Sequence, residues 1–337
     1  MHGGDRLTNI PPSTRRIALV TGGAGFIGSR VVHELIEKGF AVRILDDLST
    51  GSLDRIASCL RVIGVEFIQG DVRDPQVVEQ ACEGVSLVFH LAALTSVPES
   101  LEMPHRYFDT NLTGTATVCH ASATAGVARL VFASSAAVYG ANSMGIVSEC
   151  VEPRPLSPYG LTKLMGEQLL QWYATNTALD TASLRFFNVY GPGQSANSSY
   201  AAVIPAFIAA MVANTPPTIY GTGLQRRDFC FVSDIADACH RAAVHPSPLL
   251  GEVFNIGTGK PTSITGLFKG LAAVTLYTGE PHNEPERPGD IRVSCANPEK
   301  ATRTLGFRAQ TTLADGLRIT VEKRGGKIGR ASCRERV

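Results

Sequence analysis

Residues 16–46 run Arg-Ile-Ala-Leu-Val-Thr-Gly-Gly-Ala-Gly-Phe-Ile-Gly-Ser-Arg-Val-Val-His-Glu-Leu-Ile-Glu-Lys-Gly-Phe-Ala-Val-Arg-Ile-Leu-Asp, and their order decides the fold. The opening run 16–21 is rich in β-forming residues, and a glycine-dense turn follows it at once. From 26 to 38, Ile27, Val31, Val32, Leu35 and Ile36 recur at helical spacing. Gly39 stops that helix, and 41–46 is a second strand. Strand, turn, helix, strand is one βαβ unit, whose two strands must lie parallel.

Outward from this unit the pattern repeats. It predicts strands at 66–69, 87–91 and 130–134, helices at 75–82 and 105–124, then a helix from 158 to about 175 and a strand at 181–186. Strands alternating with helices imply an α/β fold with a doubly wound parallel sheet of the Rossmann type. Beyond Asn188 the texture changes: Gly191-Pro192, the Asn- and Ser-rich 195–199, Pro216-Pro217 and the Pro-rich 281–288 cut the chain into shorter pieces. The expected division is a sheet domain of 15–190 with about 228–257, which includes a returning strand near 252–256. About 191–227 with 258–325 form a smaller interleaved substrate-binding domain. There is no solenoid-type repeat or low-complexity tract.

A chain of 337 residues, 44% hydrophobic and 18% charged, can bury a large core. Its formal charge of +1 offers no broad electrostatic footprint for nucleic acid or an anionic membrane. Eight cysteines without a Cys-x-x-Cys pair read as small core residues, and no metal site is expected. The N-terminal segment carries Asp5, Arg6, Pro11, Pro12, Arg15 and Arg16 where a secretory signal needs an apolar run. The longest helix-like apolar stretch, 201–213, contains Pro205 and is too short for a bilayer. A cytoplasmic protein is therefore expected. The run 327–337 has no amphipathic period, resembles the translation of a sequencing-adapter oligonucleotide, and is read as non-native. Without Lys327, Arg330, Arg334, Arg336 and Glu335 the formal charge passes from +1 to −2.

The glycine turn carries the first chemistry. Gly22, Gly25 and Gly28 are spaced Gly-x-x-Gly-x-x-Gly between a strand and a helix, where a backbone can approach a pyrophosphate and the helix N-terminus can offer N–H groups to it. Phe26 and Ile27 supply those groups. Asp46 ends the next strand, 18 residues after Gly28, where a carboxylate accepts from ribose hydroxyls and repels a 2′-phosphate. NAD is thus favoured over NADP, and a rotated Arg43 is the feature that would reverse this. Asp71 and Val72, after the third strand, are candidates for the adenine; so placed, they are equally ordinary loop residues.

The second chemistry lies downstream. Ser157-Pro158 is a helix start, with Tyr159 in the first turn and Lys163 at i+4 on the same face. A free tyrosine ionises near pH ~10, so a neighbouring ammonium and the positive helix end are expected to make it a usable base. Such a pair is commonplace by itself, but the buried run 131–135 ends in hydroxyls at the carboxyl edge of the sheet. There Ser135 is expected to hold the hydroxyl that Tyr159 deprotonates, the arrangement of a hydride-transfer site.

Six motifs then carry a resemblance: Thr-Gly-Gly-Ala-Gly-Phe-Ile-Gly (21–28), His-Leu-Ala-Ala (90–93), Ser-Ser-Ala-Ala-Val-Tyr-Gly (134–140), Ser-Pro-Tyr-Gly-Leu-Thr-Lys (157–163), Arg-Phe-Phe-Asn-Val-Tyr-Gly-Pro (185–192) and Arg-Pro-Gly-Asp (287–290). Over about 16–323 the chain resembles the extended short-chain dehydrogenase/reductases, and among them the NAD-dependent nucleotide-sugar epimerases. The resemblance implies Ser135, Tyr159 and Lys163 as the catalytic group, and Leu91, Ala92 and Ala93 beside the cofactor. It implies Asn111 as a residue ordering water near the site, and Ser96, Asn188, Arg227 and Arg287 on the nucleotide sugar. Taken alone, either arginine is an ordinary surface charge.

The 4,6-dehydratases of this superfamily carry an Asp-Glu pair where this chain has Ala136 and Ala137, so dehydration lacks its general acid. C4 epimerisation of a UDP-sugar through a transient 4-keto intermediate is the expected reaction. Ser294 matches a position where a large aromatic excludes N-acetyl sugars, so UDP-GlcNAc and UDP-GalNAc are expected beside UDP-glucose and UDP-galactose. The rivals are a UDP-glucuronate decarboxylase or related NAD-using enzyme, and a catalytically silent NAD-binding protein. The resemblance also implies a homodimer built on the helices at 105–124 and 158–175.

Overall fold

The computed structural model describes residues 16–141, 145–195, 202–286 and 291–325, so Arg287 and the run 327–337 lie outside the described residues. The opening unit forms as its pattern dictates: Ile17–Thr21 (β1), Phe26–Glu37 (α1) and Ala41–Asp46 (β2), with β1 and β2 parallel and Ile17 beside Ala41. Val65–Gln69 (β3), Pro75–Cys82 (α2) and Leu87–His90 (β4) follow. Asp74 caps α2 by accepting from the Gln76 and Val77 amides, and Pro75 supplies a first-turn φ.

The expected helix over 105–124 is divided. After Val97–Glu102 (α3), which the sequence reading did not foresee, come Pro104–Tyr107 (α4), a π-helical stretch at Phe108–Thr113, and Gly114–Thr124 (α5). The wide turn carries Asn111, whose side chain leaves the helix for another segment. Asn111 Oδ1 accepts from the Leu94 amide at 2.8 Å, while Nδ2 donates to Leu94 O at 3.0 Å and Thr162 Oγ1 at 3.2 Å. Side-chain partners outside the ladder favour such a bulge.

Arg129–Ser135 (β5), Ile146–Val147 (β6), Pro158–Asn176 (α6) and Asp180–Phe186 (β7) continue the chain. Then come Val189–Tyr190 (β8), Val203–Val212 (α7), Thr218–Tyr220 (β9), Arg226–Arg227 (β10), Cys230–Phe231 (β11), Val232–Ala243 (α8) and Glu252–Ile256 (β12). The last third holds Thr262–Ser263 (β13), Ile264–Thr275 (α9), His282–Glu284 (β14), Val293–Ala296 (β15), Glu299–Leu305 (α10) and Leu313–Gly325 (α11).

The large sheet has seven strands in the order β12-β7-β5-β4-β1-β2-β3, all parallel. Both faces are covered, and the central strands β1 and β4 are accordingly buried along nearly their whole length rather than alternating. One face packs on α1, α8 and α10 through Val31, Val32, Leu35, Ala236, Cys239, Ala301 and Leu305. The other packs on α2, α5 and α6 through Val78, Cys82, Val118, Cys119 and Leu170. Ala301, Leu305 and Phe307 thus join the core of the main sheet, late in the chain. Cys59, Cys82, Cys119, Cys230, Cys239 and Cys295 are buried as expected, whereas Cys150 is exposed.

A separate core joins Tyr190, Ile204, Phe207, Ile208, Phe231, Leu267, Phe268 and Leu317. The chain enters this layer through β8 and leaves it through β11, and these two strands pair with each other, Val189 beside Cys230. The Phe187 amide donates to Ile256 O at 3.1 Å, tying this exit to the end of β12.

Candidate active site

The strand order reverses between β1 and β4, and open α/β sheets bind ligands outside the carboxyl ends of the strands at such a point. A cleft of about 760 Å³ opens there. Its wall includes Gly22, Gly25, Phe26, Ile27, Gly28, Asp46, Asp71, Val72, Leu91, Ala92, Ala93, Ser96, Ser135, Tyr159, Lys163, Asn188, Arg227 and Ser294. Of the remaining site residues expected from the sequence, Asn111 does not line it. It instead fastens the backbone of Leu94 to Thr162, behind the wall.

The glycine turn is shaped for close approach. Gly22 sits at φ +69, and a Cβ there would meet the Ala92 amide nitrogen at 2.7 Å. A Cβ on Gly28 would stand 2.0 Å from Gly22 O, so α1 can rest on the turn only with hydrogen at that position. Gly25 is the N-cap of α1 and has no side chain to satisfy the first-turn amides, which leaves Phe26 and Ile27 N–H facing the cleft. A turn of this geometry can seat a phosphate group, and the buried Asp46 carboxylate lines the same cleft. Asp46 Oδ2 accepts from the Ala24 amide and Oδ1 from the Leu48 amide, both at 2.9 Å. Burial raises its pKa, and those two backbone bonds oppose the rise.

Arg43 points away from the cleft. Its Nε donates to Glu66 Oε2 at 2.8 Å, and its Nη1 donates to Ala81 O at 2.9 Å and Glu83 O at 2.8 Å. Its guanidinium clasps the end of α2, so it offers nothing to a 2′-phosphate. Asp71 is held by Arg73, which draws its carboxyl below the ordinary range and also pairs with Asp109 at the cleft mouth.

The catalytic candidates come from two elements. Ser135 ends β5, and its Oγ accepts from the Ala137 amide at 3.1 Å. Tyr159 and Lys163 stand in the first turns of α6, whose N-cap Ser157 accepts from the Gly160 amide at 3.1 Å. The Ser135 hydroxyl faces the Tyr159 phenol and acts to lower its pKa. Lys163 Nζ donates to Ala133 O at 2.8 Å and lies 6.0 Å from the Tyr159 ring centre.

The electrostatics differ from the sequence expectation. Burial lifts the Tyr159 phenol above its ordinary pKa, and only the Ser135 hydroxyl works downward. Burial also brings the Lys163 ammonium down to about 7, with the Glu167 charge opposing. Loss of hydration thus governs both groups, and the ammonium is not among the influences that lower the phenol. His90 beneath them is driven down to about 3 by burial, and its ring lies between Thr21 Oγ1 at 2.7 Å and Thr115 Oγ1 at 3.0 Å.

On the opposite wall, Arg227 and Ser294 are cross-strand neighbours in β10 and β15. Arg227 Nη1 donates to Ile291 O at 2.5 Å. The buried Asp228 carboxylate supports this wall by accepting from the amides of Thr258, Gly259 and Ala296. Ala136 and Ala137 line the cleft without any acid.

Sequence reasoning missed Arg55, which lines the cleft and donates to Ala24 O and Thr50 O, both at 3.3 Å, and to Gly193 O at 3.4 Å. Its one available signal was its place in the loop after β2, at the carboxyl edge of the sheet. Gln194 and Ser195 also line the cleft, four and five residues beyond the end of β8. Among the described residues no group of three metal-binding side chains occurs, and no helix is long and apolar enough to cross a membrane.

A doubly wound parallel sheet, a glycine-turn phosphate seat and a Ser-Tyr-Lys group at one cleft define an extended short-chain dehydrogenase/reductase. The chain belongs to the NAD dependent epimerase/dehydratase family, which it matches over residues 18–257. It is 37% identical over 306 residues to a UDP-glucose 4-epimerase of Mycolicibacterium smegmatis, covering 90% of this chain and 97% of that protein. The UDP-N-acetylglucosamine 4-epimerase from Methanobrevibacter ruminantium, solved with UDP-N-acetylmuramic acid, superposes with a TM-score of 0.89 at 35% identity, covering 93% of this chain and 99% of that one. The UDP-glucose 4-epimerase of Thermus thermophilus in complex with NAD superposes with a TM-score of 0.82 at 34% identity, over 92% and 99%.

Proposed function

We propose that the chain is an NAD-dependent epimerase that inverts C4 of a UDP-sugar. The observation that carries this is the meeting of the Ser135 and Tyr159 hydroxyls with Lys163 Nζ in one cleft, between the phosphate seat of α1 and the Asn188, Arg227 and Ser294 wall. The similarity to epimerases of UDP-glucose and UDP-N-acetylglucosamine over nearly their whole length supports the substrate class.

In this reading Phe26 and Ile27 N–H bind the cofactor pyrophosphate, Asp46 its ribose, Asp71 and Val72 its adenine. Leu91, Ala92 and Ala93 form the floor beneath it. NAD, when bound, supplies the hydride acceptor and donor. Tyr159 takes the C4 hydroxyl proton as the 4-keto sugar forms and returns it after the sugar has presented its other face. Ser135 holds that oxygen, and Lys163 stabilises the phenolate. A positive charge beside the phenol is needed, since burial alone holds it protonated, and the protonated Lys163 is the cation placed there. Arg227 and Arg287 bind the diphosphate, Ser96 and Asn188 the sugar, and Ser294 leaves room for an N-acetyl group. Asn111 acts by anchoring the loop after β4. The enzyme is proposed as a cytoplasmic homodimer, with 15–190 and about 228–257 as cofactor domain and about 191–227 with 258–325 as substrate domain, apart from α10, which returns to the core of the main sheet.

Incubating the purified protein with UDP-, dTDP- and GDP-sugars and resolving the products tests this. Inversion at C4 without net consumption of NAD is expected; release of carbon dioxide would favour a decarboxylase. Tyr159→Phe should lower kcat by about 10³-fold, whereas a protein that only binds NAD would be indifferent.

A further inference from the structure

We infer that Glu167 and Arg185 form a buried positioning pair that sets the charge balance around Tyr159 and Lys163 and holds their helix in register with the strand end that carries Ser135. The inference rests on the Ser135–Tyr159–Lys163 reading above.

The geometry joins three elements. Glu167 lies on α6, one turn beyond Lys163, and Arg185 lies on β7; each side chain is 4% exposed. Arg185 Nε donates to Glu167 Oε1 at 2.8 Å and Nη2 to Oε2 at 2.6 Å, a two-pronged contact. Ser134 Oγ donates to the same Oε1 at 2.5 Å. Two consecutive residues at the end of β5 are therefore tied to α6, Ala133 by Lys163 and Ser134 by Glu167, and Ser135 next to them faces Tyr159. Arg185 is fixed from behind, its guanidinium 4.7 Å from the Tyr139 ring centre, and Tyr139 donates to Asn255 Oδ1 at 2.7 Å.

A buried ion pair is poor value as a stabiliser, because desolvating two charges consumes most of what their attraction returns. Arg185 also keeps Nη1 buried with no hydrogen-bond partner. An apolar pair would fill this space at less cost, so the charges call for another role. The groups facing Lys163 are Tyr159 and Glu167 on its own helix, His90 on β4, the Ser135 hydroxyl on β5 and, through Glu167, Arg185 on β7. His90 is held neutral, which leaves Glu167 as the anion acting on the ammonium, with Arg185 bonded to that same carboxylate.

The two partners therefore have opposite electrostatic effects although they share one contact. Removing the Glu167 charge favours proton loss from both Lys163 and Tyr159, so the whole profile of kcat against pH moves toward acid, whichever limb belongs to which group. Removing the Arg185 charge while the Ser134 hydroxyl keeps Glu167 ionised moves it toward alkali. A purely structural pair would lower kcat in both variants and leave the profile in place.

The test is kcat against pH for UDP-glucose and UDP-galactose interconversion by the NAD-loaded enzyme, with thermal melting to establish folding. Glu167→Gln should move the profile about one pH unit toward acid, and Arg185→Gln a similar distance toward alkali. Ser134→Ala, which keeps both charges, should lower kcat severalfold with the profile unmoved. Where Glu167→Gln does not fold, Glu167→Asp keeps the charge and should hold the profile at reduced kcat. Profiles that stay put in both neutralising variants, or move the same way, would overturn the inference, as would a profile that moves in Glu167→Asp. Failure of the underlying reading has a different signature, full activity in Tyr159→Phe.

Discussion

Gly28→Ala is expected to weaken NAD binding by about 100-fold while leaving the protein folded. The new Cβ would stand 2.0 Å from Gly22 O and 2.8 Å from both Gly22 C and Gly23 Cα, all backbone atoms that no rotamer change can move. Side-chain carbons essentially never approach such atoms within 3.0 Å, so the start of α1 must retreat by about 1 Å. That retreat draws the Phe26 and Ile27 amides away from the phosphate seat. Two charge-assisted hydrogen bonds at about 1.5 kcal/mol each make about 3 kcal/mol, close to 100-fold in Kd. Overpacking should cost the fold a further 1–3 kcal/mol, roughly. Isothermal titration with NAD reads the first quantity, and urea unfolding of the cofactor-free protein the second. Gly84→Ala is the control: at φ +68 with nothing within 4 Å, it should cost about 1 kcal/mol of stability and no cofactor affinity. Equal NAD affinity in Gly28→Ala and the parent would refute the reasoning, because it would mean that α1 does not present the phosphate seat.

Asp46→Asn should lower NAD affinity and narrow its margin over NADP, whereas Arg43→Ala should leave that margin alone and cost about 1–2 kcal/mol of stability, because its donors are spent on the end of α2; paired cofactor titrations and urea melts check both. Lys163 loses proton affinity on folding, reaching about 7, so its burial penalty is complete below that pH and relieved as pH rises toward the free-lysine value of about 10.4. Lys163→Met should therefore gain stability relative to the parent at about pH 6, and that gain should shrink at about pH 9; a gain independent of pH would contradict the burial argument. Ser294→Tyr, facing the cleft beside Arg227, should depress turnover of N-acetyl sugars far more than that of UDP-glucose, as a side-by-side kcat/KM comparison would reveal.

Much of the fold was legible because its signals are local. The strands flanking the glycine turn and the helices begun by Asp74-Pro75 and Ser157-Pro158 fall within a residue or two of their expected bounds, since capping and periodicity act over a few neighbours. The helix Val97–Glu102 carried such a signal unread: Ser96 accepts from the Glu99 amide, the Ser-x-x-Glu pattern of a helix start. The interruption at Phe108–Thr113 was not legible, for it depends on Asn111 meeting Leu94 and Thr162. The inversion of the Tyr159 argument has a similar origin. Spacing brings an ammonium near the phenol, but only packing decides how much water both retain. Arg43 looked available because three residues from Asp46 is close in sequence, yet alternate residues of a strand face opposite sides of the sheet.

The pairing of Val189–Tyr190 with Cys230–Phe231 has a consequence for how such enzymes diversify. Because the strands of departure and return are bonded to each other, the chain leaves the main fold after Tyr190 and rejoins it at Cys230 beside its point of departure. Doubling the length of such an excursion costs only about 0.6 kcal/mol in closure entropy. Arg227, Gln194 and Ser195 all belong to it, while every residue of the phosphate seat lies outside. The wall that this excursion gives to the cleft can therefore lengthen or shorten between relatives while the backbone of the glycine turn stays as it is.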